Sequence, residues 1–291
     1  MLSCQKDITL HKTKANCLLI KWFCFKKEFS MRREVFDNNV LLDKVRRMKT
    51  KIQKTMFLWA AAVAFPVAAE GQDKVEASVG ADLVSSYIWR GQELGDVSIQ
   101  PSVSLSWKGL SLTVWGSASW GREYAKEFDL TLGYAVKGFS VSVTDYSFSK
   151  GTNFKTGTDI SGKYFHFGSN STLHVYEAQV GYDFGFLAVN WYTNIGGNDG
   201  LKKDGKRAYS SYVSLSAPFR LGGLDWDATV GATPWETSFY NGGSSGFAVS
   251  EVALRAAKEI RVTESFALPL FAQVTWNPAS ENAYFTAGLS F

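Results

Sequence analysis

The chain has 291 residues and a formal net charge of +4, but the charge is unevenly placed. Residues 1–72 hold 14 of the 31 Lys and Arg and 6 of the 27 Asp and Glu, so the rest is net acidic and lacks the basic patch that nucleic-acid binding needs. Cys4, Cys17 and Cys24 all lie in that front end, which excludes thiolate chemistry, disulfides and Cys/His zinc sites from residues 73–291; hydrophobics at 45% with aromatics at 15% exclude disorder.

From Met48 the chain reads Lys49, Lys51 and Lys54, then an apolar run from Thr55 to Ala69, then small residues. That is the layout of a secretory signal peptide, and the run is shorter than the ~20 residues a spanning helix needs. Cleavage after Ala69 or after Gly71 puts the mature start near Gln72. Residues 48–71 are therefore expected to be the signal. Residues 1–47 are expected to be upstream sequence from a misplaced start codon or a disordered extension, whose apolar cluster Cys17–Phe25 would then be a small amphipathic anchor.

After Ala69 the period is two. Val97, Ile99, Pro101, Val103, Leu105 and Trp107 alternate with Ser98, Gln100, Ser102, Ser104 and Ser106; Ala283, Phe285, Ala287, Leu289 and Phe291 alternate with Tyr284, Thr286, Gly288 and Ser290. Twelve such segments follow in order: 75–90, 96–107, 110–120, 126–137, 139–149, 173–184, 186–195, 208–218, 224–233, 247–258, 265–276 and 283–291. Tight turns at Lys108-Gly109, Gly138, Gly185 and Leu221-Gly222-Gly223 alternate with longer polar connections at 91–95, 121–125, 150–172, 196–207 and 234–246. Residues 258–265 form the one longish connection on the short-turn side. Short turns on one side and long loops on the other are the layout of an outer-membrane barrel, and an even strand count returns both termini to the periplasm. The expected fold is all-β, a transmembrane antiparallel up-and-down barrel of about 12 strands over residues 72–291. A soluble β-sandwich with a secretion signal also alternates, but seldom through twelve strands with serine-rich opposite faces.

A bilayer demands that every backbone polar group be paired, which a closed sheet achieves, so the apolar series should face lipid and the hydroxyl series the lumen. Tyr87, Trp89, Trp107, Trp120, Tyr134, Phe184, Phe266 and Trp276 fall near strand ends on the apolar parity and are expected in the aromatic girdles.

The C-terminal AYFTAGLSF, with Phe285, Leu289 and Phe291 on one face, resembles the signal read by the barrel-assembly machinery. The stretch SSYIWRGQELGDVSIQPSVSLSWKG is similar to the first hairpin of the TorF-type porins, matching at Ser86, Tyr87, Trp89, Arg90, Gly91 and Pro101; it departs in the Gln-Glu-Leu-Gly of the first loop. The match is strong over about 25 residues and architectural elsewhere. It implies a small porin-like outer-membrane barrel in a Gram-negative bacterium and little about the solute.

On the inward parity lie Glu76, Asp82, Glu127, Asp129, Glu177, Asp183, Asp225, Asp227 and Glu251, against Arg90, Lys137 and Arg255. A net-negative lining in low-dielectric walls should pass cations more easily than anions. The competing reading is a narrow barrel plugged by its own charge networks, acting as a scaffold for binding or adhesion loops. In both, Arg90 and Arg255 are the expected partners of the carboxylates.

A remote alternative is a lipid hydrolase. The histidines His166 and His174 lie near Ser169, Asn170 and Ser171, but proximity in sequence is not a triad, and the protein is expected not to be an enzyme. The loop 150–172 is longer than structureless loops usually are. The loop 196–207 clusters Lys202, Lys203, Lys206 and Arg207, either as a solvated loop or as cations that attract outer-leaflet phosphates. Its Asn198, Asp199 and Asp204 lack calcium-loop spacing. The expected function is passive diffusion of small solutes or ions by a weakly cation-preferring, monomeric porin. No cofactor or metal is expected; the expected partners are outer-membrane lipids, the assembly machinery and the solutes, with no nucleic acid.

Overall fold

The period-two segments become strands. A computed structural model describes residues 74–291, apart from 122, 169–170, 241–245 and 264–266, and the extension and signal-peptide assignments lie outside these. The strands are β1 (Glu76–Val84), β2 (Tyr87–Trp89), β3 (Gln92–Gly95), β4 (Ser98–Trp107), β5 (Leu110–Ser119), β6 (Glu127–Val136), β7 (Phe139–Phe148), β8 (Lys150–Asn153), β9 (Thr158–Ser161), β10 (His174–Asp183), β11 (Ala188–Gly197), β12 (Ser211–Leu221), β13 (Leu224–Thr233), β14 (Ala248–Arg261), β15 (Ala267–Asn277) and β16 (Asn282–Ser290).

Twelve of them close an antiparallel barrel in the order β1, β4, β5, β6, β7, β10, β11, β12, β13, β14, β15, β16 and back to β1. Closure runs through Asp82↔Ser290, Leu83↔Leu289 and Val84↔Gly288, and is extended by reciprocal backbone bonds of 3.1 and 3.0 Å between Ala81 and Phe291. No sheet edge is left open within the ring, the arrangement that a hydrocarbon environment requires.

The parity is as expected through the barrel strands. In β4, Ile99, Val103, Leu105 and Trp107 are each 45% exposed on the outside, whereas Ser98 and Gln100 are buried inside. Trp107, Trp120, Tyr134, Phe184 and Trp276 are exposed on the outer face; Phe266 lies outside the described residues. Pro101 faces outward opposite Ala81 of β1, and the β4–β5 ladder skips Gln100 and Pro101, because proline has no N–H to give it. Inside, hydroxyls on neighbouring strands bond one another across the ladder, as in Ser104–Thr113 at 2.7 Å, Thr131–Thr144 at 2.9 Å and Ser216–Thr229 at 2.9 Å. These pairs satisfy polar side chains without filling the lumen.

Three expectations are corrected. The first strand ends at Val84 rather than at residue 90; residues 87–95 form the hairpin β2–β3, which leaves the wall and crosses the lumen. Tyr87 and Trp89 are therefore inside the barrel and not in the girdle, because Ser86 fastens to Thr286 of β16 at 2.9 Å where the chain turns inward. β14 runs on to Arg261, taking half of the supposed 258–265 connection into the wall, while the 150–172 connection, longer than structureless loops usually are, contains the paired strands β8 and β9.

The buried residues concentrate at the long-loop end. Glu127, Asp129, Glu177, Asn194, Tyr212, Thr233, Tyr240, Ser250 and Asn277 are buried there, while Ser104, Ser106, Ser142, Gln179 and Asn190 toward the short turns are only half-buried. The barrel is packed at one end and hollow at the other.

Candidate functional site in the lumen

The hairpin β2–β3 turns through Arg90 and Gly91, with φ of 51° and 78°, between the paired residues Trp89 and Gln92. Positive φ at both central positions is a type I′ turn, the same turn that Lys108-Gly109 (49° and 86°) and Lys137-Gly138 (49° and 85°) make at the short-turn end. The tip lies so close to β14 that a Cβ on Gly91 would collide with the Ser250 carbonyl oxygen. Ser250 is the extra residue of a β-bulge, since Gly231 pairs with Glu251 but Ala232 with Val249. Asn277 of β15 donates to the Gly91 carbonyl at 2.8 Å, and that holds the tip from the other side.

At that tip Arg90, 8% exposed, meets Glu177 of β10, 2% exposed. The pairing is bidentate, Nη1 to Oε2 at 2.5 Å and Nη2 to Oε1 at 2.9 Å. Glu177 also accepts from the Tyr146 hydroxyl at 2.9 Å and the Tyr240 hydroxyl at 2.9 Å, and Arg90 donates a short bond to Tyr240. Glu177 faces inward on the regular parity of β10, whose register with β7 is unbroken there; the β10–β11 ladder shifts beside it, where Tyr176 pairs with Gly196 but Glu177 with Asn194. The guanidinium lies over the rings of Tyr192 at 4.0 Å, Trp89 at 4.3 Å and Tyr212 at 4.8 Å, so the cation is enclosed by faces of negative potential.

Tyr240 comes from the described part of the connection between β13 and β14 and lies inside: it is fully buried, and Phe239 beside it packs edge-on against Trp89 at 6.2 Å. Burial pushes the Tyr240 phenol well above its ordinary range against the opposing pull of Arg90, so it remains a donor to Glu177.

The other inward residues are distributed around this knot. Tyr87 packs on Trp115 at 5.5 Å and hydrogen-bonds Glu127, next to Asp129. Toward the hollow end, a cavity of about 310 Å³ is bounded by Trp89, Tyr212, Asp227, Glu251, Arg255 and Gln273. Glu251 accepts a short bond from Tyr212, and Asp227 accepts from Thr229 at 2.9 Å. Arg255 stacks on Phe271 at 3.7 Å. Asp82 accepts from Ser290 at 2.5 Å. Asp183 caps Gly185 at 2.7 Å near the short turn, Glu76 is exposed at the start of β1, and Asp225 pairs with Arg220 at 2.6 Å. Arg220, on the inward parity of β12 but 79% exposed, is a cation that a strand ending at residue 218 concealed.

Sequence reading found Arg90 and Glu177 separately but not their pairing across 87 positions, and it missed Tyr146, Tyr192, Tyr212, Phe239 and Tyr240. A usable signal was present: Arg90-Gly91 has the cation-glycine form of the two short turns, which marks a two-residue hairpin instead of a strand running to residue 90.

The histidines serve different partners. His174 is 1% exposed, with Nδ1 at 2.7 Å from Asp145 Oδ1 and Nε2 at 2.7 Å from the Tyr164 carbonyl, and Tyr164 packs on Phe128 at 4.9 Å. It ties the connection after β9 to the rim. His166 Nε2 meets Ser171 Oγ at 2.6 Å, while Asp145 is paired with His174, so that carboxylate does not orient His166 among the described residues. Ser169 and Asn170 lie outside the described residues.

No protein-family model matches the chain, and no curated protein matches it. Among solved structures it is similar to Salmonella typhi OmpF in a complex with daunomycin, at 9% identity and a TM-score of 0.33, over 76% of this chain and 98% of that one. A likeness this slight says nothing of what the chain does.

Proposed function

We propose that the protein is a porin-like outer-membrane channel whose bore is set by its own first hairpin and which passes small solutes or ions with a preference for cations. The observation that carries this reading is the lumen below the hairpin. It is hollow and hydroxyl-lined, and once Arg90 is matched by Glu177, its nearest wall charges are Asp227, Glu251 and Asp82 against the single guanidinium of Arg255. An excess of fixed negative charge in a low-dielectric tube raises the local cation concentration. The apolar outer belt supports an outer-membrane location, and the resemblance of residues 85–109 to the TorF-type porins fits the same assignment. This reading takes the protein as a monomer.

A second reading, a plugged barrel that carries external loops, is favoured by the saturation of Glu177 with four hydrogen bonds. One experiment separates the two. Full-length protein purified from outer membranes is placed in planar bilayers under a salt gradient. Discrete steps with a cation-selective reversal potential, reduced toward zero by Asp227→Asn with Glu251→Gln, support the channel. Silent wild-type protein that conducts only when the hairpin is released supports the plug, and silence in both removes the channel reading.

A further inference from the structure

The cavity of about 310 Å³ below the hairpin has a charged layer at each end. On β14, Glu251, Ala253 and Arg255 point inward while Val252 and Leu254 are exposed outside, so Glu251 and Arg255 stand four residues apart, ~13 Å along the strand. Glu251 is in the layer next to the hairpin, beside Tyr212 and Trp89. Arg255 is in the lower layer, directly opposite Asp227 of β13 on one side and Gln273 of β15 on the other. Between the layers the short side chain of Ala253 leaves the space open.

The charged groups of this cavity are available to a ligand. Arg255 makes no hydrogen bond or ion pair among the described residues, and none of its nitrogens is shut off from solvent. Its guanidinium lies over the Phe271 ring at 3.7 Å, and that ring occupies the notch at Gly288, where a Cβ would collide with it. Stacked there, the cation does not close an ion pair with Asp227, although the two are cross-strand partners. Asp227 accepts from Thr229 through Oδ1 and Glu251 from Tyr212 through Oε2; Oδ2 of the first and Oε1 of the second have no partner among the described residues and are in contact with solvent. One unpaired cation and two half-used carboxylates in a low-dielectric wall attract a solute with the opposite pattern, one anion and two cations.

We propose that this cavity is a binding site for basic α-amino acids, an assignment that rests on reading the lumen below the hairpin as a solute path. The α-carboxylate pairs with Arg255, whose planar fork of donors matches two carboxylate oxygens; the α-ammonium pairs with Asp227, and the side-chain cation reaches Glu251 past Ala253. A four-carbon stem, as in lysine, fits the ~13 Å between the two backbone positions once the lengths of the Arg255 and Glu251 side chains are taken off. The volume is at the small end of the ~300–1,000 Å³ of ligand pockets, which suits one amino acid and not a peptide.

Calorimetric titration of the full-length protein in non-ionic detergent with L-lysine tests the site. The analogues are norleucine, which lacks the side-chain ammonium, and 1,5-diaminopentane, which lacks the carboxylate. Saturable lysine binding, with each analogue weaker by roughly tenfold or more, supports the site, since each leaves one charged wall group without its partner. Glu251→Gln should remove the advantage of lysine over norleucine, Arg255→Gln its advantage over diaminopentane, and Lys203→Gln should change neither. Absence of saturable lysine binding to the wild-type protein, or lysine bound no better than one of the analogues, overturns the proposal; both are read on the wild-type protein, so neither depends on a variant folding. A conducting protein that does not bind lysine loses this site and keeps the channel, whereas a silent protein that binds lysine keeps the site and loses the channel.

Discussion

Replacing Glu177 by Gln tests the internal latch. The side chain keeps its shape and one acceptor but loses its charge, while Arg90 at 8% exposure keeps its own. Breaking a buried, hydrogen-bonded pair by removing one partner costs about 3–5 kcal/mol, most of it from the stranded charge. The rings of Tyr192, Trp89 and Tyr212 are present in both proteins and do not alter the difference. At a cost of about 3 kcal/mol, the population with the hairpin docked falls by roughly a hundredfold against the undocked one. Single-channel recording should then show a high-conductance state that is rare in the wild-type protein and dominant in Glu177→Gln, with faster amide hydrogen exchange at Trp89 and Gln92. Adding Arg90→Gln should recover much of the wild-type closed time, because removing both charges is far less costly than removing one. Asp183→Asn, at the short-turn end and away from the hairpin, serves as the control. Unchanged conductance and unchanged exchange in Glu177→Gln would show that the pair does not hold the hairpin, and the account of the constriction would fail with it.

Two further tests bear on the surrounding structure. Gly91→Ala places a Cβ at a φ of 78° and against the Ser250 carbonyl, so the tip should lose its seat on β14 at a cost of about 1–3 kcal/mol from strain alone, while the barrel still folds; a wild-type rate of exchange at Gln92 would refute this. His174→Ala removes the two contacts that tie the connection after β9 to the rim, about 1–3 kcal/mol together. Trypsin should then cut at Lys163 roughly five- to a hundredfold faster, since every 1.4 kcal/mol is tenfold in the population of the released loop. An unchanged cleavage rate would place the anchoring elsewhere, in the Phe128–Tyr164 contact.

The barrel was legible in the sequence because its determinants are local. An alternating strand states in each residue pair which side is apolar, and a glycine-bearing turn of two residues states where the next strand begins. Twelve strands, their faces and the closing pair need nothing more than that pattern and the demand that no backbone group be left unpaired. The same pattern misled at residues 85–95. Tyr87 and Trp89 continue the apolar parity of β1, and an aromatic ring with a polar edge is equally at home at a lipid interface and in an enclosed lumen. Which of the two it occupies depends on Glu177, Tyr192, Tyr212, Tyr240 and the bulge at Ser250, all on strands or connections at least 87 positions away. Local alternation therefore determined the wall, and the tertiary structure alone decided what stands inside it, because the buried Arg90 is positioned by Glu177, 87 positions away, although Asp82, Glu93 and Asp96 lie far closer in sequence.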